Sequence, residues 1–303
     1  MMLLFVLSAA VATSGGPFVG DRHTREQRIF SRSFEVMSTL PVRRTSLLGA
    51  DSAPMDFPVD SLNLYFATLA AVGARNGELS SPPWSSALDE LRMAATNLPI
   101  NPTRVAMAEE TVKALLAAAP EIAAVVQKQM TAVTAAGKDA STDGRPSYQQ
   151  KACYVQTMMH VVAPGLFVGS YHPASDKLLL QKSGITHICC CIGVSPRFPD
   201  TFHYHVIPAE DAPSYDMSQH FDAAVTFIDT ALRGGGNVLV HCGAGISRAP
   251  TITAAYLINI TGLSANAAVQ LLRQRRPCAS PNMGFLTQLR DYSRKTDRAD
   301  GGK

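Results

Sequence analysis

Apolar residues recur with helical spacing between residues 59 and 137. One helix face carries Leu62, Phe66, Leu69 and Val72. Three further stripes of this kind follow, at Leu88, Leu91 and Ala95, at Val105, Val112, Leu115 and Leu116, and at Ile122, Val125, Val126, Met130 and Val133. Such stripes are more typical of a packed core than of a ligand site. The pattern therefore predicts a small helical region over residues 59–137.

The pattern changes after a polar stretch at residues 138–153, which we interpret as a linker because it carries Gly144 and Pro146. Short apolar runs then predict strands at 166–168, 185–192, 203–207 and 238–240, and helical patterns cover 221–232, 249–260 and a stretch from Ser264 to Arg275. Strands that alternate with helices predict an α/β domain with a central, mostly parallel sheet flanked by helices. We place this domain at residues 154–296, followed by a disordered tail at 297–303.

Residues 1–58 have the composition of a targeting leader or of a disordered segment. A short apolar run, 3–12, ends in small residues that could form a cleavage signal, and an arginine-rich stretch follows it. The run lacks a basic segment before it, so both interpretations stay open. A cleaved segment within residues 1–50 would indicate an organelle, whereas the use of cysteine indicates a reducing, cytoplasmic environment.

Composition narrows the class of protein. The chain has 303 residues, 46% of them hydrophobic, and a net charge of +3 that is scattered along the sequence. This charge does not favour a nucleic-acid binder, which usually shows a concentrated basic face. No apolar run reaches the roughly 20 residues that a membrane span needs. Six cysteines, three of them adjacent, form a poor disulfide framework, and no CxxC pair indicates zinc. We expect free thiols, and neither a metal nor a cofactor.

The segment from Val238 to Arg248 combines a buried strand, a glycine-containing loop and the start of a helix. Successive backbone amides of such a loop, here residues 243–248, point into one concavity and form an anion site with the helix dipole behind them. The field that binds a phosphate dianion also favours a thiolate at Cys242. The planar guanidinium of Arg248 can hold two phosphate oxygens. His241 would orient the loop through backbone hydrogen bonds.

The motif His241-Cys242-x-x-Gly245-x-x-Arg248 resembles the signature of the protein tyrosine phosphatase superfamily. The stretches 164–169, 184–188 and 275–289 resemble its dual-specificity branch, and 180–188 is similar to the STYX group, which includes a pseudophosphatase with Gly at the nucleophile position. Here that position is Cys242. The resemblance covers about residues 158–296, less than half the chain. It implies the cysteine phosphatase fold and hydrolysis through a cysteinyl-phosphate intermediate.

The resemblance also implies a general acid on a loop about thirty residues before the nucleophile. Asp211 has that position, follows a predicted strand and precedes a proline. Glu210 and Asp216 are its rivals. Asn282 aligns with an Asn that supports the phosphate loop in the family, although a helix cap before Phe285 is an equally simple role for it.

Ser247 and Ala249, the two residues that flank Arg248, also bear on the chemistry of the loop. Ser247 precedes the arginine as in dual-specificity relatives, and it either hydrogen-bonds within the loop or faces it. Relatives usually carry Ser or Thr where this chain has Ala249, and that hydroxyl helps the cysteine sulfur leave during hydrolysis of the phosphoenzyme. Its loss puts turnover in question rather than phosphate binding. Thr251 is the nearest alternative hydroxyl in the sequence.

The expected substrate is a phosphoprotein. No insertion resembles the phosphotyrosine-recognition loop of tyrosine-specific relatives, so we expect a shallow cleft that admits phosphotyrosine, phosphoserine and phosphothreonine. The loop interior (Gly243, Ala244 and Ile246) has no Lys, which weakens a lipid or RNA phosphate as substrate. The alternative from another class is a weakly active phosphoprotein-binding module. Nothing in the sequence predicts the oligomeric state.

The adjacent cysteines 189–191 allow a prediction of redox control. They lie on a strand expected beside the one that leads to Cys242. Because side chains alternate along a strand, Cys189 and Cys191 share one face and Cys190 takes the other. One of them could trap an oxidised Cys242 as a reversible disulfide. The simpler alternative is three small core residues, since free Cys is usually a buried hydrophobe.

Overall fold

The structure is a computed structural model, and it describes residues 57–75, 82–138 and 158–300. The predicted leader lies outside these residues up to residue 56, as do residues 139–157, which include most of the predicted linker. Lys138, the first residue of that linker, is still the last residue of a helix. The described residues form a group of helices followed by an α/β layer.

Four helices form the first part, as the apolar stripes predict. They are α1 (Val59–Gly73), α2 (Trp84–Thr96), α3 (Pro102–Ala118) and α4 (Pro120–Lys138). The side chain of Asn101 accepts hydrogen bonds from two amides of the first turn of α3 and so begins that helix. The prediction that Val125 belongs to the buried stripe of α4 is wrong, since this residue is 44% exposed. The buried face of α4 passes through Ile122, Val126 and Val133 instead.

A five-stranded sheet lies at the centre of the second part. Its strands are β1 (His160–Ala163), β2 (Leu166–Gly169), β3 (Ile185–Cys190), β4 (His203–Val206) and β5 (Asn237–His241). They are arranged in the order β1-β2-β5-β3-β4, and every neighbouring pair is parallel except β1 with β2. The predicted α/β class with a mostly parallel sheet is therefore confirmed. The sequence did not predict β1, and β3 ends two residues before Ile192.

Among the described residues, three helices lie between strands along the chain, and three more follow the last strand. They are α5 (Tyr171–Ala174), α6 (Lys177–Lys182), α7 (Phe221–Arg233), α8 (Arg248–Thr261), α9 (Ala265–Arg275) and α10 (Met283–Asp300), with a 3-10 turn (Ser218–His220) before α7. Ser264 caps α9 as predicted, because its side chain accepts a hydrogen bond from the amide of Ala267. The helix α10 continues to Asp300, although the sequence predicts a disordered tail from residue 297.

The helical region packs against the α/β layer and shares one core of buried side chains with it. Two of its residues meet the carboxyl end of α8: the Tyr65 hydroxyl donates to the carbonyl oxygen of Ile260 at 3.2 Å, and Arg92 donates to that of Thr261 at 3.1 Å. A cation and donors at this end of a helix satisfy its last carbonyl groups. The predicted division into two domains stays a prediction.

Within the described ranges, no single helix is long and apolar enough to span a membrane. Only the pair α8 and α9, bent by 117° at the break between them, passes such a test by length and composition.

Candidate active site

The predicted phosphate loop lies between β5, which ends at His241, and α8, which begins at Arg248. It emerges from the carboxyl end of a strand at the centre of the sheet, with β2 on one side and β3 on the other. Open parallel sheets usually bind their ligands at this edge. The loop amides therefore combine with the amino end of α8, where a helix attracts anions.

The carbonyl groups of the loop are turned outward. Four successive carbonyl oxygens accept hydrogen bonds from outside the loop: Gly243 from the amide of Tyr171 at 3.1 Å, Ala244 from Arg276 Nη2 at 3.2 Å, Gly245 from Arg276 Nε at 2.7 Å and Ile246 from the amide of Ser280 at 2.7 Å. Because these carbonyls are held from behind, the neighbouring amides are left to face the concavity. That arrangement is an anion-binding nest.

The sulfur of Cys242 lies at the floor of this loop. The residue is 1% exposed, and its Sγ accepts a hydrogen bond from the amide of Gly245 at 3.2 Å. Gly245 has a φ of +68°, and a Cβ at this position would overlap the Arg276 side chain and the Gly169 carbonyl group. Both the torsion angle and the close approach require glycine. The bend at Gly245 therefore directs its amide toward the Cys242 sulfur.

Asp211 and Arg248 meet beside the loop. Nε of Arg248 lies 3.5 Å from Oδ2 of Asp211, and Nη1 donates to the carbonyl oxygen of Ala209 at 3.2 Å. The ion pair is close, but its geometry makes no hydrogen bond, so the buried Nε has no hydrogen-bond partner among the described residues. A buried donor without a partner is costly. Its position indicates that a ligand oxygen completes the site.

One oxygen of Asp211 is held by two donors. Its Oδ1 accepts from the Ser247 hydroxyl at 2.7 Å and from Asn282 Nδ2 at 3.1 Å. Ser247 also accepts from the amide of Asn282 at 3.2 Å, so the three residues form a connected network. Oδ1 of Asn282 accepts from the amide of Phe285 at 3.0 Å. Asn282 therefore caps α10 and contacts the carboxylate at the same time.

The rivals of Asp211 are placed differently. The Asp216 carboxylate accepts from both the hydroxyl and the amide of Ser218, at 2.6 and 3.0 Å, and these hydrogen bonds lower its pKa. It thus caps the 3-10 turn. Glu210 is exposed and makes no hydrogen bond to another residue that the structure describes. Of the three carboxylates, Asp211 alone contacts the phosphate loop in this part of the chain.

Two basic side chains beneath the loop were not predicted as site residues. Arg276 is fully buried, and besides its bonds to the loop carbonyls its Nη1 lies 2.7 Å from Nδ1 of His160. Burial, together with the charge of Arg276, lowers the pKa of His160 to about 4. A neutral imidazole can accept from the guanidinium. The only signal in the sequence was Arg275-Arg276-Pro277, which does not tell which arginine points inward.

His241 and Thr251 complete the surroundings of the loop. Burial, and secondarily the charge of Arg248, lowers the pKa of His241 to about 4, so its imidazole is neutral. Its Nδ1 has no hydrogen-bond partner within the described residues. Thr251 donates its hydroxyl to the carbonyl oxygen of Ser247 at 2.7 Å, so this hydroxyl proton is not donated to the sulfur. Ala249 is fully buried beside them.

Comparisons with known proteins identify the family of the α/β domain. The family model for the catalytic domain of dual specificity phosphatases matches residues 166–295. Dual specificity protein phosphatase 1B of Arabidopsis thaliana is 41% identical over 134 residues, which cover 44% of this chain and 80% of that protein. Dual specificity protein phosphatase 1 of the same plant is 40% identical over 141 residues, 46% of this chain and 71% of that protein. The crystal structure of the human tyrosine phosphatase-like serine/threonine/tyrosine-interacting protein is 37% identical and matches with a TM-score of 0.44, covering 46% of this chain and 98% of that one.

Proposed function

Because the chain belongs to the dual specificity phosphatase family, we propose that this protein phosphatase removes phosphate from phosphotyrosine, phosphoserine and phosphothreonine through a cysteinyl-phosphate intermediate. The observation that carries the proposal is the position of the Cys242 sulfur. It lies at the floor of a loop of inward-facing amides, with Arg248 and Asp211 beside it. The expected partner is a phosphoprotein substrate.

In the first step the Cys242 thiolate attacks phosphorus, and the bond from phosphorus to the side-chain oxygen of the substrate breaks. Asp211 gives its proton to that oxygen, which leaves as a hydroxyl group. Oδ1 of Asp211 already accepts two hydrogen bonds, so Oδ2 is the oxygen that carries the proton. The loop amides bind the phosphoryl oxygens together with Arg248, whose Nε lies 3.5 Å from Oδ2 of Asp211 and makes no hydrogen bond within the described residues.

In the second step a water molecule attacks the phosphorus of the thiophosphate. The Asp211 carboxylate accepts a proton from this water, the sulfur–phosphorus bond breaks, and Cys242 returns to the thiolate. Inorganic phosphate then leaves. Ser247 and Asn282 hold Asp211 in both steps, since they contact the oxygen that does not exchange the proton.

The mechanism is tested by Cys242→Ser, with Cys278→Ser as the matched control because Cys278 is also a free thiol of this domain. We expect Cys242→Ser to abolish hydrolysis of an aryl phosphate and of phosphopeptides, because a neutral hydroxyl is a far weaker nucleophile than a thiolate. Phosphopeptide binding should persist through the loop amides and Arg248. Continued turnover by the Cys242→Ser variant would remove the cysteine from the mechanism.

The acid is tested by Asp211→Asn with Glu210→Gln as its control. We expect Asp211→Asn to slow hydrolysis of a phosphate ester with a poor leaving group by roughly 10²–10⁴-fold. The loss should be smaller for an activated aryl phosphate, whose oxygen needs less protonation. If Glu210→Gln gave this pattern and Asp211→Asn did not, the assignment would pass to Glu210.

A further inference from the structure

The loop that carries Asp211 has little support from the core. It connects β4 to the 3-10 turn and covers residues 208–217, which we call the acid loop. Ala209 and Met217, near its two ends, are buried, whereas residues 210, 211, 213, 214 and 216 are exposed. Exposed loop residues gain little from apolar burial. Contacts with another element must therefore fix the distance between Asp211 and the phosphate loop.

The first turns of α10 supply such contacts. Besides Asn282, two of its residues face the acid loop: Gly284 lies against Pro213, and Gln288 hydrogen-bonds to the far end of the loop. The mechanism proposed above assigns no role to either of them.

Gly284 allows a close approach between two backbones. A Cβ at this position would overlap the carbonyl group and Cα of Pro213. Gly284 lies inside a helix and its torsion angles are open to any residue, so the glycine is required here by contact and not by conformation. A backbone cannot rotate away as the end of a side chain can. A methyl group at residue 284 would therefore push the acid loop away from α10.

Gln288 binds three backbone groups of the loop end through one side-chain amide. Its Oε1 accepts from the amides of Met217 at 2.7 Å and Ser218 at 3.0 Å, and its Nε2 donates to the carbonyl oxygen of Tyr215 at 2.8 Å. The Tyr215 hydroxyl in turn donates to the carbonyl oxygen of Pro208 at 3.2 Å. Gln288 thus fixes one end of the acid loop, and Tyr215 ties that end to the other.

We propose that Gly284 and Gln288 are positioning residues that hold the acid loop against α10 at the distance where Asp211 protonates the leaving oxygen. Asn282 fixes the carboxylate itself, Gly284 sets how close the loop lies, and Gln288 sets its orientation. This inference rests on the proposed role of Asp211 as the general acid. It predicts that substitutions on α10 impair proton transfer while the phosphate loop stays intact.

The test compares Gly284→Ala and Gln288→Met with two matched controls. Gly234→Ala adds a methyl group at a glycine with φ −75°, 3.3 Å from its nearest contact and far from the acid loop. Thr287→Val changes the exposed neighbour of Gln288. Among the described residues, the Thr287 hydroxyl bonds only to the Met283 carbonyl oxygen of the same helix. For each protein, kcat/KM is measured on aryl phosphates with leaving groups of increasing basicity. Inhibition by orthovanadate reports on the phosphate loop.

We expect both α10 variants to lose activity in proportion to the basicity of the leaving group. The loss should approach that of Asp211→Asn for phenyl phosphate, on the order of 10²-fold, and stay below about tenfold for an activated ester. The inhibition constant for orthovanadate and both controls should match the wild type.

Hydrogen exchange separates the two proposals. Amides of residues 208–217 should exchange faster in Gly284→Ala and Gln288→Met, and amides of the phosphate loop should not. If both variants kept the wild-type amide exchange and the wild-type dependence on the leaving group while Asp211→Asn was impaired, the positioning role would be overturned. The proposed function would then still stand. If Asp211→Asn itself showed no leaving-group dependence, the acid assignment would fall and the positioning role with it. Should Gly284→Ala fail to fold in a thermal melt, Gln288→Met decides the question alone.

Discussion

The guanidinium of Arg276 donates through Nε to the carbonyl oxygen of Gly245 at 2.7 Å, from a position with no exposure to solvent. It holds the phosphate loop from the side opposite the substrate. A buried charge is costly unless it is fully hydrogen-bonded, and here the acceptors include the carbonyls of Met158, Ala244 and Gly245 and the imidazole of His160. Since both loop carbonyls point toward the arginine, the adjoining amides are left to face the concavity of the predicted phosphate loop.

Replacing Arg276 should therefore damage both stability and phosphate binding. We expect Arg276→Met to lower the free energy of unfolding by about 2–4 kcal/mol, because it leaves buried carbonyl groups without donors. Arg276→Lys should restore only part of this loss, since an ammonium group lacks the planar fork. Urea denaturation and the inhibition constant for orthovanadate measure the two effects. Arg275→Lys is the matched control, and an equal effect there would contradict a specific role for Arg276.

The burial of His160, together with the nearby charge of Arg276, should make stability depend on pH. The pKa of His160 falls from its ordinary 6.5 to about 4 in the folded protein, so the unfolded chain binds the proton first. The contribution of the buried, neutral His160 to the free energy of unfolding is complete above about pH 6.5, and it is lost as the pH falls toward 4. Between pH 7 and pH 5 the free energy of unfolding should therefore fall by on the order of 1–2 kcal/mol.

We expect His160→Asn to flatten that dependence, because an amide oxygen can replace Nδ1 as the acceptor and cannot be protonated in this range. The measurement is urea denaturation at pH 7, 6 and 5. His172→Asn is the control, since His172 is exposed. An unchanged pH dependence in His160→Asn would show that other groups, such as His241, dominate the acid response.

The elements of the site that could be predicted from sequence are those that local spacing encodes. The run from Val238 to Arg248 predicts a strand, a tight loop and a helix start, and all three form there. Arg276 and His160, by contrast, are separated by 116 residues, and no local pattern marks either as buried. Val125 illustrates the same limit, because its place on an apolar stripe does not reveal which face the neighbouring helices cover.

The redox control predicted from sequence requires one of the cysteines 189–191, at the end of β3 and just after it, to lie near Cys242. β3 and β5 are parallel neighbours, with Cys190 opposite His241, and the amide of Cys191 donates to the His241 carbonyl oxygen at 2.8 Å. This hydrogen bond continues the backbone register by one residue and so pairs position 191 with position 242. The Cys191 sulfur itself lies 4.0 Å from the carbonyl oxygen of Cys189. Burial raises the pKa of Cys191 well above its ordinary range, which slows its reaction as a thiolate.

After mild treatment with hydrogen peroxide, we expect a disulfide between Cys191 and Cys242. Peroxide converts the Cys242 thiolate to a sulfenic acid, and the Cys191 thiol then displaces water from that sulfur. Peptide mapping detects the product, and dithiothreitol should restore activity. Cys191→Ser should make the inactivation irreversible, whereas Cys190→Ser should leave it reversible. Direct oxidation of Cys242 to sulfinic acid in the wild type would favour three cysteines with a packing role only.

Ala249 lacks the hydroxyl group that relatives usually carry at this position. Among the described residues, the Cys242 sulfur receives one hydrogen bond, from the amide of Gly245, and the Thr251 hydroxyl is engaged elsewhere. The sulfur should therefore be a poor leaving group, and hydrolysis of the thiophosphate should limit turnover. Rapid mixing with an aryl phosphate should show a burst of phenol followed by slow steady release.

Ala249→Ser supplies a second donor near the sulfur. A hydrogen bond to a charged group contributes about 1.5–3 kcal/mol, which corresponds to roughly tenfold to over a hundredfold in rate. We expect the steady rate to rise by at least about tenfold and the burst to shrink, with little change in the first step. Ala255→Ser is the matched control, since Ala255 is an equally buried alanine of α8. It should share any cost of burying a hydroxyl and none of the gain in rate. A wild type without a burst, and a steady rate unchanged in Ala249→Ser, would mean that the Gly245 amide alone stabilises the departing thiolate.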